Sequence, residues 1–221
     1  YRDAVEVLKR YRIWRSIPQR VRQHLDRGCQ GFVSETPKSG SPLFRRVQHH
    51  IVGNNATAIA AVTCAAKEAG LQTLTQTPAI IGEAHEAGKR FGALAKQIAL
   101  CGKPLRRPCC VVAGGETTVT VMGKGTGGRA QEFAAAAALE IAGLARVWVC
   151  AIGTDGTDGP TDAAGAVVDG HTLARAQHRS VDLKGALKRH DTYPALKKLQ
   201  HLITTGPTGT NVNDLYLILV L

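Results

Sequence analysis

Aromatic residues are scarce, at 5% of the 221 positions, and the chain has one Met and two Trp. A sandwich core built on large rings is therefore not expected, and small side chains must fill the interior. Long apolar runs are also missing. The longest, Phe133 to Leu139 and Leu215 to Leu221, fall far short of the roughly 20 residues of a membrane-spanning helix. A soluble protein is expected, cytoplasmic or in an organelle matrix. None of the six cysteines (Cys29, Cys64, Cys101, Cys109, Cys110, Cys150) stands in a Cys-x-x-Cys pair. Neither a zinc site nor a disulfide framework is indicated, and buried free thiols in a reducing compartment are expected. The chain opens at Tyr1 with neither Met nor an apolar signal segment, which leaves room for an upstream half.

Glycine is plentiful, at 24 residues, and so is alanine; hydrophobic residues make up 44% and charged residues 20%. That composition suits a globular chain with helices lying close on a sheet. The charge is uneven. Positions 1 to 50 hold eleven Lys or Arg against four acids, which is +7 of the total +11. Such a segment is ordinarily a solvated face, but it also fits an anionic substrate, RNA or an acidic partner.

Residues 3 to 14 read as an amphipathic helix, and Pro18 opens a second through Leu25. A loop or linker over Gly28 to Pro42 follows, then a short strand over Val47 to Val52. Asn54 or Asn55 is suited to cap an Ala-rich helix ending at Gly70. A strand over Leu71 to Gln76 and a helix from about Glu83 to Leu100 continue the alternation of an α/β fold. Past Pro108, Cys109 to Ala113 and Thr117 to Met122 read as a hairpin turning at Gly114 and Gly115, with a domain boundary near 105. An Ala130 to Ala142 helix, a Val147 to Ile152 strand, short helices between Leu173 and Leu199, and strands at Leu202 to Thr205 and Leu215 to Leu221 complete the reading.

Four polar, glycine-rich loops follow predicted strands: Gly114 to Thr117, Gly123 to Arg129, Gly153 to Asp162 and Gly206 to Asn211. Loops beyond strand ends are where open α/β folds bind ligands, and glycine lets backbone amides approach an anion. Gly123 to Gly128 matches G-x-G-x-x-G, but no acid lies about 20 residues on, and Lys124 stands in the wrong place for a Walker loop. A cationic anion cradle remains: Lys124, the loop amides, and Arg129 in the first helical turn, where a bound anion or a carboxylate partner must offset the helix dipole. Asp155, Asp158 and Asp162 crowd into one short loop. They are candidates for magnesium beside phosphates, or for turns and helix caps. His190 and the other scattered histidines read as solvent-exposed. The loop tips are expected to converge on one electropositive pocket.

Taken in order, the runs Ala113-Gly-Gly-Glu-Thr-Thr118, Gly123-x-Gly-x-Gly-Gly-Arg-x-Gln-Glu132, Gly153 to Gly165 and Gly206 to Asp214 resemble the C-terminal MOFRL domain of type-2 glycerate kinases. Upstream, Glu35 to Lys38, Val52 to Asn55 and Gly82 to Ala84 resemble the end of that family's N-terminal domain. The resemblance implies the end of a Rossmann-like parallel-sheet domain over 1–105 and a mixed-sheet α/β MOFRL domain over 106–221. It implies phosphorylation of D-glycerate at its 2-hydroxyl with ATP and Mg2+, in a cleft where Arg129 works with a lysine lying before Tyr1. Ala130 replaces the family's usual Asn, and His190-Asp191-Thr192-Tyr193 replaces Asn-Asp-Ser-Tyr.

The site expected on these grounds has Arg129 and Asp155 as catalytic groups, with Asp155 or Asp158 on the metal. Gly114, Gly115, Lys124, Gly125, Gly127 and Gly128 would cradle phosphates, and Asn54, Glu116, Thr210 and Asn211 would contact glycerate. Nucleotide and glycerate are the expected ligands, with the N-terminal half as partner if it is a separate chain and a homo-oligomer as a further possibility. A remnant binding RNA or an acidic partner through the basic segment is the alternative, and hydroxypyruvate reductase a third.

Overall fold

The computed structural model describes residues 1–221, which form two compact units, Tyr1–His50 and Ile51–Leu221. In the first, α1 (Arg2–Arg10) and α2 (Gln19–Cys29) are joined by a short turn, and Pro18 precedes α2 as predicted. The Tyr1 ring lies edge-on to His24 and against Gly28, the position where any side chain would collide with it. Val5 is the one buried hydrophobic residue of this unit. The strand expected over Val47 to Val52 is absent: this segment has no ladder partner, and Val52 is almost fully exposed.

The second unit is a seven-stranded mixed sheet with helices on both faces. Its strands are β1 (Gln72–Thr75), β2 (Ile80–Glu83), β3 (Cys109–Thr118), β4 (Val147–Gly153), β5 (Gly165–Asp169), β6 (Leu202–Ile203) and β7 (Asp214–Val220). The order is β1-β3-β7-β4-β5-β6, with β2 continuing along the edge of β3 that β1 occupies. Only β1 and β2 run parallel to their partner; every other pair is antiparallel. The boundary expected near 105 falls within this unit, on the connection into β3.

Two helices, α4 (Ala84–Cys101) and α5 (Arg129–Glu140), cover one face. Phe91, Ile98, Phe133, Ala134, Ala135, Ala137 and Ala138 pack there on Val111, Val149, Tyr216 and Ile218. Phe133 stacks on Tyr216 at 4.3 Å between ring centroids. The short helices α6 (Thr172–His178), α7 (Leu183–Lys188) and α8 (Thr192–Leu199) pack beside α5. On the other face α3 (Asn55–Glu68), capped by the Asn54 side chain, sets Ala66 with Ile59 and Val62 against Cys110, Val112 and Leu217. Residues of β3 thus alternate between two cores, which is why this strand reads as a continuous apolar run.

Three expectations are corrected here. No hairpin turns at Gly114 and Gly115: β3 runs straight through both, because any side chain on Gly115 would strike the backbone of Ile80 in β2, and one on Gly114 would strike Asn55. Glycine inside this strand marks close approach, not reversal. Strands β2 and β5 are short and flank glycines, and the periodicity did not reveal them. The last strand, expected only as the final element of the chain, is central, between β3 and β4. Of the cysteines, all free, Cys109 and Cys110 are buried, whereas Cys64 and Cys101 are exposed.

Alanine and glycine dominate the α4–α5 contact because the helices meet at backbone distance. A Cβ on Gly88 would collide with the Phe133 carbonyl, and one on Gly92 would sit 3.0 Å from the Ala137 Cα. Gly→Ala inside an exposed helix normally stabilises by about 1 kcal/mol. Gly88→Ala is expected to destabilise instead, by about 1–3 kcal/mol from overpacking. Urea midpoints at constant m-value decide the sign, and a raised midpoint refutes the packing account.

Candidate functional site

The C-terminal ends of β3 and β4 and the first residue of β7 lie at one end of the sheet, where α5 also begins. Helix α5 starts after Gly128, which has no side chain to cap it. The cap comes from a distant loop: Asp158 Oδ1 accepts the Ala130 N–H at 3.0 Å and Oδ2 the Gln131 N–H at 2.8 Å. Asp158 is 4% exposed, and its burial pushes the carboxyl up to about 6, against the pull of those two N–H groups.

Arg129 opens α5, where a cation opposes the helix dipole. Its Nε and Nη2 form a fork on Asp214 at 2.7 and 3.0 Å, and Nη1 reaches Glu116 at 2.9 Å. The carboxylate partner considered from the sequence is therefore supplied twice. Asp214 is fully buried and accepts the Tyr216 hydroxyl at 3.1 Å. Burial raises its carboxyl, against Arg129, and raises the Tyr216 hydroxyl as well.

The 123–128 loop is pinned to the start of α8. Thr126 donates its N–H to Asp191 Oδ1 at 2.9 Å, and Tyr193 donates its N–H to the Thr126 carbonyl at 3.0 Å. Gly125 lies on the backbone of Arg189 and His190, and Gly127 on the Thr192 hydroxyl, so neither position has room for a side chain. The acidic loop is tied in the same way. Asp155 accepts from Thr157 N–H at 3.0 Å and from Asn211 Nδ2 at 3.2 Å, and Thr154 donates its hydroxyl to the Asn213 carbonyl at 2.7 Å.

These loops enclose a cleft of about 1050 Å3. Gly115, Glu116, Gly125, Gly127, Gly128, Arg129, Asp155 and Asp158 line it, and they converge as the sequence suggested. Several other expected residues lie elsewhere. Gly114 is covered by Asn55, and Lys124 faces a separate depression with Lys188 and Arg189. Asn54 caps α3 through Thr57, and its neighbour Asn55 donates Nδ2 to the Val212 and Asp214 carbonyls; neither lines the cleft. Thr210 does not line the cleft, and Asn211 reaches it through Asp155. Asp158 caps α5 with both oxygens, each accepting one backbone N–H.

Two lining residues were missed. His190, expected to be exposed, places Nδ1 2.8 Å from Oε1 of Glu132, which is almost completely buried. Glu132 stood in the quoted Gly-Gly-Arg-x-Gln-Glu run, but no spacing links it to position 190. The expected electropositive pocket is also corrected. The lining carries Arg129 and His190 against Glu116, Glu132, Asp155 and Asp158. Its positive character resides in backbone amides, and the charged side chains are mainly acidic.

Residues 109–214 match the MOFRL family model. A glycerate 2-kinase of Pyrococcus horikoshii is 41% identical over the whole chain, which covers 49% of that relative. Along its whole length the chain is similar to glycerate kinases. The crystal structure of a Thermotoga maritima glycerate kinase superposes with a TM-score of 0.85 at 40% identity, over all of this chain and 50% of that one. A putative hydroxypyruvate reductase of Agrobacterium vitis is 37% identical over 99% of the chain and 48% of its own length. The chain spans about half the length of the curated relatives it matches.

Arg129→Ala leaves Asp214 buried without its counter-charge, and a loss of about 3–5 kcal/mol is expected in urea unfolding. A loss below about 1 kcal/mol would show that the fork is not structural. Asp158 gives a pH signature. Its folded pKa of about 6 lies above the ordinary aspartate value of 3.8, so between these pH values the folded chain holds a proton that the unfolded chain has released. Asp158's contribution to stability is therefore lost as pH rises through that window, by roughly 3 kcal/mol at full separation. Relative to wild type, Asp158→Asn should gain stability between pH 4 and pH 7, and a constant difference contradicts the assignment.

Proposed function

We propose that these residues are the C-terminal part of a glycerate 2-kinase, which transfers a phosphoryl group from ATP to the 2-hydroxyl of D-glycerate. The observation that carries the reading is the 41% identity, extending over the whole chain, to relatives named glycerate 2-kinase. The site chemistry supports it. Phosphoryl transfer needs alignment and charge neutralisation more than covalent help. The amides of Gly125, Gly127 and Gly128 border the cleft and suit phosphate oxygens. Arg129 is 32% exposed, so its guanidinium can offer an edge to an anion while its fork stays on Asp214.

Magnesium fits the donor set when phosphate shares it. No group of three metal-binding side chains occurs, but Mg2+ beside a triphosphate needs just one or two carboxylates, the rest being phosphate and water oxygens. Asp155 would hold it, since its carboxylate takes part only in neutral hydrogen bonds. When bound, the ion would neutralise phosphate charge. Because the lining is acidic, further cationic help has to come from outside these residues, which is where the family resemblance places a lysine.

The reductase reading has less support. The G-x-G-x-x-G fingerprint requires a strand running directly into its glycines, and β3 ends at Thr118, with an irregular segment before Gly123.

With the intact protein, ATP and D-glycerate should give 2-phosphoglycerate, identified by 31P NMR, with no NADH oxidation in the presence of hydroxypyruvate. Hydroxypyruvate-dependent loss of absorbance at 340 nm without phosphoryl transfer would replace this reading. Glu116→Gln, which removes a carboxylate from Arg129 without stripping Asp214, is expected to lower the KM for nucleotide severalfold with little change in stability. An unchanged KM would show that Arg129 does not meet the phosphates.

A further inference from the structure

One row of the sheet sets the long axis of the cleft. Ile80, Gly115, Asp214 and Gly153 stand side by side on β2, β3, β7 and β4. Three strand spacings, about 14 Å, therefore separate the β2 end of the cleft from the β4 end. Arg129 lies over the middle, held between Glu116 on β3 and Asp214 on β7. Asp155, just past Gly153, stands at the β4 end, on the loop whose Gly159 lies against the backbone of Gly127 and Gly128. The amides and the carboxylate suited to phosphate and magnesium thus extend from the middle toward β4.

The β2 end is chemically different. Ile81, paired with Glu116 across the ladder, is 70% exposed, and Val121 is 60% exposed. Both line the cleft, together with Ala79 and Val119. The two apolar groups are tied to each other by a hydrogen-bonded clasp, since Thr120, between Val119 and Val121, donates its N–H and its hydroxyl to Glu83 at the end of β2. Among the lining residues at this end the one charged side chain is Glu116, and that turns to Arg129. Single exposed aliphatic residues are ordinary on a protein surface, but a cluster rimmed by polar groups inside a cleft marks a ligand contact.

We infer that this apolar end seats the base of the nucleotide, with Ile81 and Val121 against the faces of the ring, and that the triphosphate runs along the row of strands toward Asp155. The inference rests on the kinase reading and orients the donor within the site which that reading assigns. The acceptor is the poorer occupant of the β2 end. Every carbon of glycerate bears oxygen, and oxygens set against Ile81 and Val121 would lose water without gaining a hydrogen bond. A nucleobase has two flat faces with no such need, and aliphatic side chains on them shed water from both surfaces. Base and phosphates then draw on separate groups, so their contributions to binding can be changed one at a time.

The test is calorimetric binding of MgATP and of tripolyphosphate, which has the phosphates without the base, to the intact protein. Ile81→Ser combined with Val121→Ser should weaken MgATP about tenfold or more, through the loss of two apolar contacts, and leave tripolyphosphate within about twofold. Val121→Phe supplies a ring for stacking and should tighten MgATP about threefold or more, again without moving tripolyphosphate. A gain of that kind does not arise from a failed fold. In steady-state kinetics the double serine variant should raise the KM for nucleotide and not that for D-glycerate. Equal losses for the two phosphate ligands, unchanged MgATP binding in the double variant, or a raised KM for D-glycerate alone overturns the base seat. A wild type that phosphorylates D-glycerate while the double variant binds MgATP as before refutes the seat alone. A wild type that neither binds MgATP nor phosphorylates a hydroxy acid refutes the kinase reading, and the seat with it.

Discussion

The guanidinium of Arg129 laid against the buried carboxylate of Asp214 fastens the first turn of α5 to the first residue of the central strand β7. A carboxylate sealed from water at that depth is tolerable only with a counter-charge and with its remaining lone pairs satisfied. Arg129 supplies the charge, and the Tyr216 hydroxyl takes one further position. The fork in turn sets the direction in which α5 leaves the sheet, and with it the place of Asp158, whose cap needs the free amides of that same first turn. The 154–164 loop is arranged around an end of a helix that is itself arranged around one ion pair.

That construction explains an acidic site in a strongly basic chain. Carboxylates are spent near the cleft on structural duties: capping, countering Arg129 and holding His190. The basic excess is concentrated in the first 50 residues, which form a compact unit of their own. A net charge of +11 therefore says little about the field inside this cleft, because its polarity comes from a few side chains and from oriented amides.

Much of the fold was legible in the sequence. A cap at Asn54 or Asn55, the Ala-rich helices and the strands over Val147 to Ile152 and Leu215 to Leu221 follow from propensity and periodicity, and the glycine loops marked the right end of the sheet. The misreadings share a cause. Gly114 and Gly115 look like a turn because local grammar cannot distinguish a reversal from a strand pressed by another backbone. The capping role of Asp158 is hidden because its partners, the amides of Ala130 and Gln131, lie almost thirty positions away. The pairing of Glu132 with His190 joins residues that share no motif, and only the packing of α5 against the segment before α8 brings them together. Lys124 was assigned by adjacency to the glycines, yet in an extended loop adjacent residues face opposite ways.

The junction between the 123–128 loop and α8 makes two segments more than sixty positions apart into one mechanical part. A glycine loop left to itself samples many shapes, and ordering it only when a ligand arrives would weaken binding by the entropy lost. Here the ordering is done during folding by a helix that does not itself line the cleft. Any displacement of α8 would reshape the amide wall, so substitutions beneath its buried face, at Leu196 or Leu199, would act on affinity from a distance.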